Sequence, residues 1–348
     1  MVAALGLLVF LAGLFAAAKF VPGREVEGRE EPDGTRFRYR INGMALFIAT
    51  NLVVATGTLV FDFSLAPLIE HFWALFIAAN GISFALAFWL YRRGGAARPG
   101  PTSLGEKWLG SERSPRVFGV DLKLWAYEPS LIGFGLLVAA FGYAQFERYG
   151  EITPQMGLWL VGWWIYLATH YAQQAFLLSI FDVIEEKFGL MLVWGDLVVV
   201  PFFYSIGGWW LLDQREPISN RALLAIAVLY AVSLWMFRGA NAQKWRFKQD
   251  PATVIWGEKA EAIGGSLLIS GWWGIGRHLN YTGEIGVYLA LTLATGCESF
   301  VPYLLPLGML VLLGHRAARD DRRCRAKYGA LWPAYCAHTR FRMFPYLY

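Results

Sequence analysis

The chain has 348 residues, of which 56% are hydrophobic and 16% charged, and its net charge at pH 7 is +5. A soluble globular domain carries more charge and fewer long apolar segments, so this composition, with a mean hydropathy of +0.40, argues against a soluble protein. Apolar runs close to 20 residues long predict an all-α polytopic membrane protein. The positive charge collects in a few loops, which argues against a nucleic-acid partner.

The N-terminal part of the chain alternates apolar runs with short polar loops. Residues 1–21 lack the basic start and cleavage site of a signal peptide, so we expect a first membrane helix there. Within the polar residues 22–42, a Pro32-Asp33-Gly34 turn followed by alternating residues predicts a short β-hairpin at the membrane interface. Further membrane helices are predicted over residues 44–64, 67–92, 129–146, 156–181, 188–213 and 221–237.

The last apolar run, Ile285 to Leu313, is too long for one helix, and its prolines Pro302 and Pro306 predict two. The total is then about nine transmembrane helices. The loops 93–128 and 238–283 and the tail 315–348 are basic, which predicts a cytoplasmic C-terminus. We interpret residues 1–348 as a single membrane domain. Residues 1–237 would form its helical body, and residues 238–348 a C-terminal half with a cytoplasm-facing cofactor pocket.

Three polar clusters lie in this C-terminal half, at residues 238–248, 270–284 and 315–329. On a helix, Lys244 and Lys248 share one face. The second cluster contains four glycines among aromatic and polar residues, which predicts a turn that approaches a ligand closely. The third cluster, if helical, places a stripe of charged side chains on one face, namely Arg316, Asp320, Arg323 and Lys327.

This concentration of cations is suited to a dinucleotide. A pyrophosphate with a 2′-phosphate needs several cations, and arginine binds such groups through two parallel hydrogen bonds. Asp320 could accept a ribose hydroxyl, and Trp273 and Tyr281 could stack on a ring. No Gly-x-Gly-x-x-Gly motif joins a strand to a helix, so a Rossmann domain is excluded. The alternative for each basic side chain is an ordinary anchor for anionic lipid.

Ionisable side chains also interrupt the predicted membrane helices, where such groups are usually functional. Asp196 lies within one span, and Tyr166 and His170 within another that ends near Asp182 and Glu186. The alternatives are a helix cap at Asp196 and hydrogen bonds between helices. We expect at least one of Tyr166, His170, Asp182 and Asp196 to contact the substrate or its proton relay. The five histidines are scattered, which predicts no metal site.

Several motifs resemble those of the sterol reductases, the family of the Δ14-, Δ7- and C24(28)-sterol reductases and of the sterol-reductase domain of lamin B receptor. The C-terminal signature His315-Arg316-x-x-Arg319-Asp320-x-x-x-Cys324-x-x-Lys327-Tyr328-Gly329 is similar to that of the family. Other similar segments are Arg277-His278-x-Asn280-Tyr281, Trp194-Gly195-Asp196-Leu197 and Asp121-Leu122-Lys123. The resemblance covers about residues 22–348.

The resemblance implies an enzyme of the endoplasmic reticulum or the bacterial inner membrane that uses NADPH to saturate a double bond of a sterol or related polycyclic isoprenoid. The alkene would be protonated and would then accept a hydride. The candidate catalytic residues are Tyr166, Asp182, Glu186 and Asp196. The candidate cofactor-binding residues are Lys244, Lys248, Trp273, Arg277, His278, Asn280, Tyr281, Arg316, Asp320, Arg323, Tyr328 and Tyr335.

One departure from the family concerns the proton donor. Family members commonly carry an acidic pair where this chain has Gln173-Gln174. The double bond that is reduced and the identity of the acid therefore stay open. Two alternatives also stay open: a membrane methyltransferase that uses S-adenosylmethionine, which carries no phosphate, and a non-catalytic sterol-binding protein.

Overall fold

The computed structural model describes residues 2–30, 36–96 and 104–347, which form a mainly helical protein. By its internal packing the chain divides between Gln214 and Arg215 into two compact units. The predicted division at residue 237 into a membrane body and a cofactor-binding half stays a prediction.

The helices of the first unit include one long central helix and several short ones. In chain order they are α1 (Val2–Phe20), α2 (Gly43–Val60), α3 (Ala66–Glu70), α4 (Phe72–Ala96), α5 (Leu104–Leu109), α6 (Leu122–Tyr149), α7 (Pro154–Ala172), α8 (Phe181–Ile184), α9 (Leu190–Trp194) and α10 (Gly207–Asp213). A 3₁₀-helix, Gln174–Ser179, follows α7, and a π-helix, Gly195–Phe203, separates α9 from α10.

The second unit contains two long helices joined by shorter elements. In chain order its helices are α11 (Asn220–Gln249), α12 (Trp272–Ile275), α13 (Leu279–Leu293), α14 (Leu304–Tyr328) and α15 (Leu331–His338). A 3₁₀-turn, Val301–Tyr303, leads into α14. The apolar run 285–313 is therefore divided between two helices near Pro302, as predicted.

The described strands form four two-stranded antiparallel hairpins. They are β1 (Arg24–Glu30) with β2 (Arg36–Ile41), β3 (Arg116–Val117) with β4 (Val120–Asp121), β5 (Val254–Ile255) with β6 (Glu258–Lys259), and β7 (Ala262–Ile263) with β8 (Leu267–Leu268). The first pair confirms the hairpin predicted over residues 22–42. The Pro32-Asp33-Gly34 turn itself lies outside the described residues.

Seven helical segments of the described chain are long and apolar enough to cross a membrane. The predicted total of nine is not confirmed, because α7 and α13 do not qualify. Helix α13 has 15 residues, fewer than the roughly 20 that a membrane crossing requires. Helix α7 has 19 residues but contains polar groups such as Gln155 and His170, which lower its hydropathy.

Two helix boundaries differ from the predictions. Helix α6 begins at Leu122 because Asp121 caps it, accepting a hydrogen bond from the backbone N–H of Leu124 (3.0 Å). Pro129 thus lies inside the helix and does not mark its start. Helix α11 continues to Gln249, so the basic residues 238–248 lie on a helix and not in a loop.

Helix α6 is the centre of the first unit. Phe134 and Phe141 on α6 are fully buried, and the ring of Phe134 meets that of Trp163 edge-on at 4.7 Å between centroids. The apolar windows of α1 and α2 are only 11% and 17% buried, against 78% for α6. The outer helices thus expose apolar side chains, as helices that contact lipid do, while α6 is packed on all sides.

A buried glycine tests this packing. Gly208 on α10 faces Phe141, and a Cβ atom there would lie 2.4 Å from the ring. We expect Gly208→Ala to lower the free energy of unfolding by about 1–3 kcal/mol, measured as a lower Tm in detergent micelles. Gly157→Ala on α7 is the control, because no atom lies within 4 Å of its added methyl group. Equal Tm values for the two variants would contradict the described contact between α10 and α6.

Candidate functional site

In the second unit, helices α11 and α14 bring together a cluster of basic side chains. Lys244 and Lys248 are one turn apart on α11, and residues 316–327 are helical, as the predicted stripe requires. The charges of Arg323, Lys327 and Asp320 on α14 act on both lysines. Four cations thus surround one carboxylate. We call Lys244, Lys248, Arg323, Lys327 and Asp320 the basic cluster.

Trp273 on α12 is an aromatic residue that contacts the basic cluster. Its indole Nε1 donates a hydrogen bond to the carbonyl oxygen of Ala240 on α11 (2.8 Å), which fixes the orientation of the ring. The ammonium group of Lys244 lies 4.6 Å from the ring centroid, a cation–π distance. Trp273 therefore helps to hold the Lys244 side chain at the cluster.

His278 and Tyr281 form a stacked pair next to Asp320. Their rings are 5.0 Å apart and 8° from parallel, and Nε2 of His278 is 4.0 Å from Oδ2 of Asp320. Burial, together with the nearby cations Lys244 and Arg277, lowers the pKa of His278 to about 3 even though Asp320 opposes the shift. The imidazole is therefore neutral at physiological pH.

Two buried polar atoms beside this stack have no hydrogen-bond partner among the described residues. They are Nε2 of His278 and Oδ1 of Asn280. The amide nitrogen of Asn280 donates to Oδ1 of Asn241 on α11 (3.1 Å). This bond fixes the side chain, and its own Oδ1 stays without a hydrogen-bond partner. Buried polar atoms in this state are costly unless a ligand or water completes them.

Arg277 has a different environment from the basic cluster. Its guanidinium donates to the carbonyl oxygen of Thr339 (2.6 Å), and its backbone N–H donates to that of Phe341 (3.0 Å). The hydroxyl of Thr282 likewise donates to the carbonyl oxygen of Met343 (2.7 Å). These bonds fix the C-terminal segment. The assignment of Arg277 to the cofactor stays a prediction.

The remaining predicted cofactor residues lie on α14 and α15. Arg316 is half-buried one turn before Asp320. Tyr335 is buried against Trp332, with ring centroids 5.3 Å apart, and Tyr328 stacks on the same indole at 6.4 Å. Burial raises the pKa of Tyr335, so its hydroxyl stays protonated at neutral pH and can donate a hydrogen bond.

In the first unit, a fully buried lysine organises the candidate catalytic residues. The ammonium group of Lys123 on α6 donates to the backbone carbonyl oxygens of Asp182 (2.9 Å), Val183 (3.1 Å) and Glu186 (2.7 Å). The carboxylates of Asp182 and Glu186 also act on its charge. Asp196, buried in the π-helix, is acted on by both Asp182 and Lys123.

The structure thus gathers three of the four predicted catalytic residues, Asp182, Glu186 and Asp196, around Lys123. We call these four residues the acidic cluster. A π-helix in the middle of an otherwise apolar segment is frequent at functional sites, which agrees with the position of Asp196. The fourth candidate, Tyr166, is buried on α7, where it packs edge-on against Trp163 at 5.6 Å.

Two buried charged residues of α6, Lys123 and Glu128, were not predicted as site residues. Glu128 is 3% exposed, and its Oε1 accepts a hydrogen bond from Nε2 of Gln174 (2.6 Å). The sequence signal was present, since both residues lie in a mostly apolar segment. It was missed because residues 93–128 were predicted to be a loop, where charged side chains need no explanation.

Metal ligands do not cluster in the described part of the chain. Within residues 2–30, 36–96 and 104–347, no three His, Cys, Asp or Glu side chains are placed to hold a metal ion.

The family of the chain follows from comparison with known proteins. Residues 5–348 match the ergosterol biosynthesis ERG4/ERG24 family. The chain belongs to this family, and the predicted relation to sterol reductases is confirmed.

Curated relatives agree over almost the whole chain. A Delta(14)-sterol reductase of Arabidopsis thaliana is 32% identical over 98% of this chain and 95% of its own length. A Delta(14)-sterol reductase of Methylotuvimicrobium alcaliphilum is 34% identical over 97% of this chain and 83% of its own length. A 7-dehydrocholesterol reductase of Xenopus laevis is 31% identical over 95% of this chain and 75% of its own length.

The buried imidazole makes the stability of the protein depend on pH. His278 has a pKa of about 3 in the folded protein and an ordinary value near 6.5 when unfolded, so the unfolded chain binds more protons between these values. Its contribution to stability is present above pH 6.5 and is lost as the pH falls. Between pH 7.5 and 5.5 this loss is about 1.4 kcal/mol.

His278→Phe keeps a ring on Tyr281 but removes the titration. We expect Tm in detergent to fall less between pH 7.5 and 5.5 in this variant than in the wild type. An equal fall in both proteins would show that the imidazole is not buried in its neutral form.

Proposed function

We propose that this protein is an NADPH-dependent Δ14-sterol reductase, in which the basic cluster binds the nucleotide and the acidic cluster supplies the proton. Family membership makes the chain an oxidoreductase that acts on a carbon–carbon double bond of a sterol. The Δ14 specificity rests on relatives named Delta(14)-sterol reductase at 32–35% identity. The observation that carries the cofactor proposal is the convergence of Lys244, Lys248, Arg323 and Lys327.

The basic cluster fits NADPH better than a ligand without phosphate. Four cations around one carboxylate repel one another, and an anionic ligand would relieve that repulsion. A pyrophosphate and a 2′-phosphate together supply enough negative charge. S-adenosylmethionine carries no phosphate, so in a methyltransferase these basic side chains would have no phosphate group of the cofactor to bind. The basic cluster therefore supports the reductase over the methyltransferase.

The proposed roles of the other residues follow from their chemistry. Phosphate oxygens would be bound by four basic side chains, those of Lys244, Lys248, Arg316 and Arg323. The carboxylate of Asp320 would accept a hydrogen bond from a ribose hydroxyl. The free Nε2 of His278 and Oδ1 of Asn280 would be completed by polar groups of the nucleotide. Further contacts are proposed for the aromatic and basic residues Trp273, Tyr281, Arg277, Tyr328 and Tyr335.

Reduction of an alkene requires a proton on one carbon and a hydride on the other. The bound nicotinamide supplies the hydride. We propose that Asp182 or Glu186, alone or through Tyr166, delivers this proton, with Asp196 as their neighbour. Lys123 fixes the backbone from which Asp182 and Glu186 project.

The protein acts in a membrane, as its seven candidate spans and its family indicate. We propose the bacterial inner membrane or the endoplasmic reticulum as its location. The basic residues near the C-terminal ends of α11 and α14 favour a cytoplasmic position for these helix ends and for the C-terminus. NADPH would then reach the basic cluster from the cytoplasm.

Charge removal tests the nucleotide site. We expect Lys248→Gln and Arg323→Gln each to raise the Kd for NADPH about tenfold, because each removes a charge-assisted contact of about 1.4 kcal/mol. Isothermal titration calorimetry of the detergent-solubilised protein measures the Kd. Lys259→Gln on β6 is the control, since this exposed lysine lies in the same unit but outside the basic cluster.

An unchanged Kd in both cluster variants would contradict the proposed site. Reduction of a Δ14 sterol by the wild type, followed by mass spectrometry against Δ7 and Δ24 sterols, tests the substrate separately.

A further inference from the structure

The segment from Gln174 to Glu186 carries the candidate proton donors and is attached at both ends to one helix. At its far end, Lys123 of α6 binds the carbonyl oxygens of Asp182, Val183 and Glu186. At its near end, Glu128 of the same helix binds the side chain of Gln174. We propose that Glu128 and Gln174 are a positioning pair that sets the place of Asp182 for proton delivery. This inference rests on the proposed function.

The hydrogen bonds define the orientation of the Gln174 amide. Its nitrogen donates to Oε1 of Glu128 (2.6 Å), and its oxygen accepts from the backbone N–H of Gly43 at the start of α2 (2.9 Å). The side chain of Gln174 is 2% exposed. The amide serves both partners, because its nitrogen donates and its oxygen accepts. Gln174 therefore bridges α2 and α6.

The contacts around Gly43 leave no room for a side chain at this position. A Cβ atom on Gly43 would lie 2.5 Å from both Nε2 of Gln174 and Oε1 of Glu128. The close approach of the glycine backbone is what brings its N–H to the amide oxygen. The three groups thus fit together as one buried unit.

Glu128 has no salt bridge to any described residue. Its polar neighbours are the amide of Gln174 and the hydroxyl of Tyr171, and both interact with the carboxyl group. A buried carboxyl without a cation depends on hydrogen bonds for its stability. The bond to Gln174 is therefore required by both partners, and it holds the start of the 3₁₀-helix against α6.

The residues between the two attachment points pack on the same surface. Leu177, Leu178 and Val183 form one buried cluster with Leu124 of α6 and Tyr39 of β2. Lys123 and Glu128, less than two turns apart on α6, thus hold the two ends of a segment whose middle is buried between them. A shift at Gln174 would be transmitted along this packed segment to Asp182. Glu128 acts in this arrangement by positioning.

An exchange of the two side chains tests the pair. Gln174→Glu removes the amide donor and places two carboxyl groups face to face, where they must repel each other or share one proton, so we expect faster hydrogen exchange over residues 174–186 and a kcat about tenfold lower. The double variant Glu128→Gln/Gln174→Glu restores one donor and one acceptor, and should return both quantities to near the wild-type values. Gln173→Glu is the matched control, as it adds the same charge beside the pair.

Glu128→Gln alone separates positioning from proton donation. The new amide can still accept from Gln174, so we expect kcat to stay within about threefold of the wild type, with an unchanged pH profile. Loss of turnover in this variant would make Glu128 the proton donor and overturn the proposal. So would an exchanged double variant that is no better than Gln174→Glu.

Hydrogen exchange, followed by mass spectrometry of the full-length protein in detergent, needs no turnover. If the wild type reduces no sterol, the proposed function fails. The exchange rates over residues 174–186 still decide whether the pair holds the segment. Equal exchange rates in the wild type and in Gln174→Glu would overturn the proposal that Glu128 and Gln174 position this segment.

Discussion

A buried polar group needs a partner, and this requirement organises the interior of the first unit. Lys123 is buried in the central helix α6 and satisfies its ammonium group with three backbone carbonyls of a segment 59 to 63 residues away in the chain. Oε1 of Glu128, on the same helix, accepts a hydrogen bond from the side chain of Gln174. These bonds determine where the segment with Asp182 and Glu186 lies. Glu186 is buried there and Asp182 is half-buried.

In the second unit the main constraint is the charge of the basic cluster. This cluster contains four basic side chains and one carboxylate, Asp320, while His278 beside it is held neutral by burial. An excess of like charge costs free energy in the protein alone and becomes favourable when an anion binds. We propose that the basic cluster binds an anionic hydride carrier and that the acidic cluster supplies the proton of an ionic reduction.

Local features of the site could be predicted from the sequence. The spacing of Lys244 and Lys248, and of Arg316, Asp320 and Arg323, depends only on the helical repeat, and the structure has both segments as helices. The length of the last apolar run, with Pro302 and Pro306, predicted its division into two helices. The motifs around these residues also identified the family.

Features that depend on distant contacts could not be predicted. Glu128 and Gln174 are 46 residues apart, and no periodic pattern links them. Their pairing gives Gln174 a structural role that its replacement of an expected acid had left unexplained. The attachment of Arg277 to the C-terminal segment, over 62 residues, is another such contact. The predicted count of nine membrane helices is not confirmed, because α7 falls short in hydropathy and α13 in length.

The central claim is that the chain reduces a sterol with a hydride from NADPH and a proton from a carboxyl group. Its most direct test is to incubate the purified protein with a Δ14 sterol and NADPH deuterated at both C4 positions, in ordinary water, and to analyse the product by mass spectrometry. The account predicts a saturated sterol with one deuterium, and one further deuterium when the solvent is D₂O. A product without deuterium from the labelled nucleotide, or no product, would contradict it.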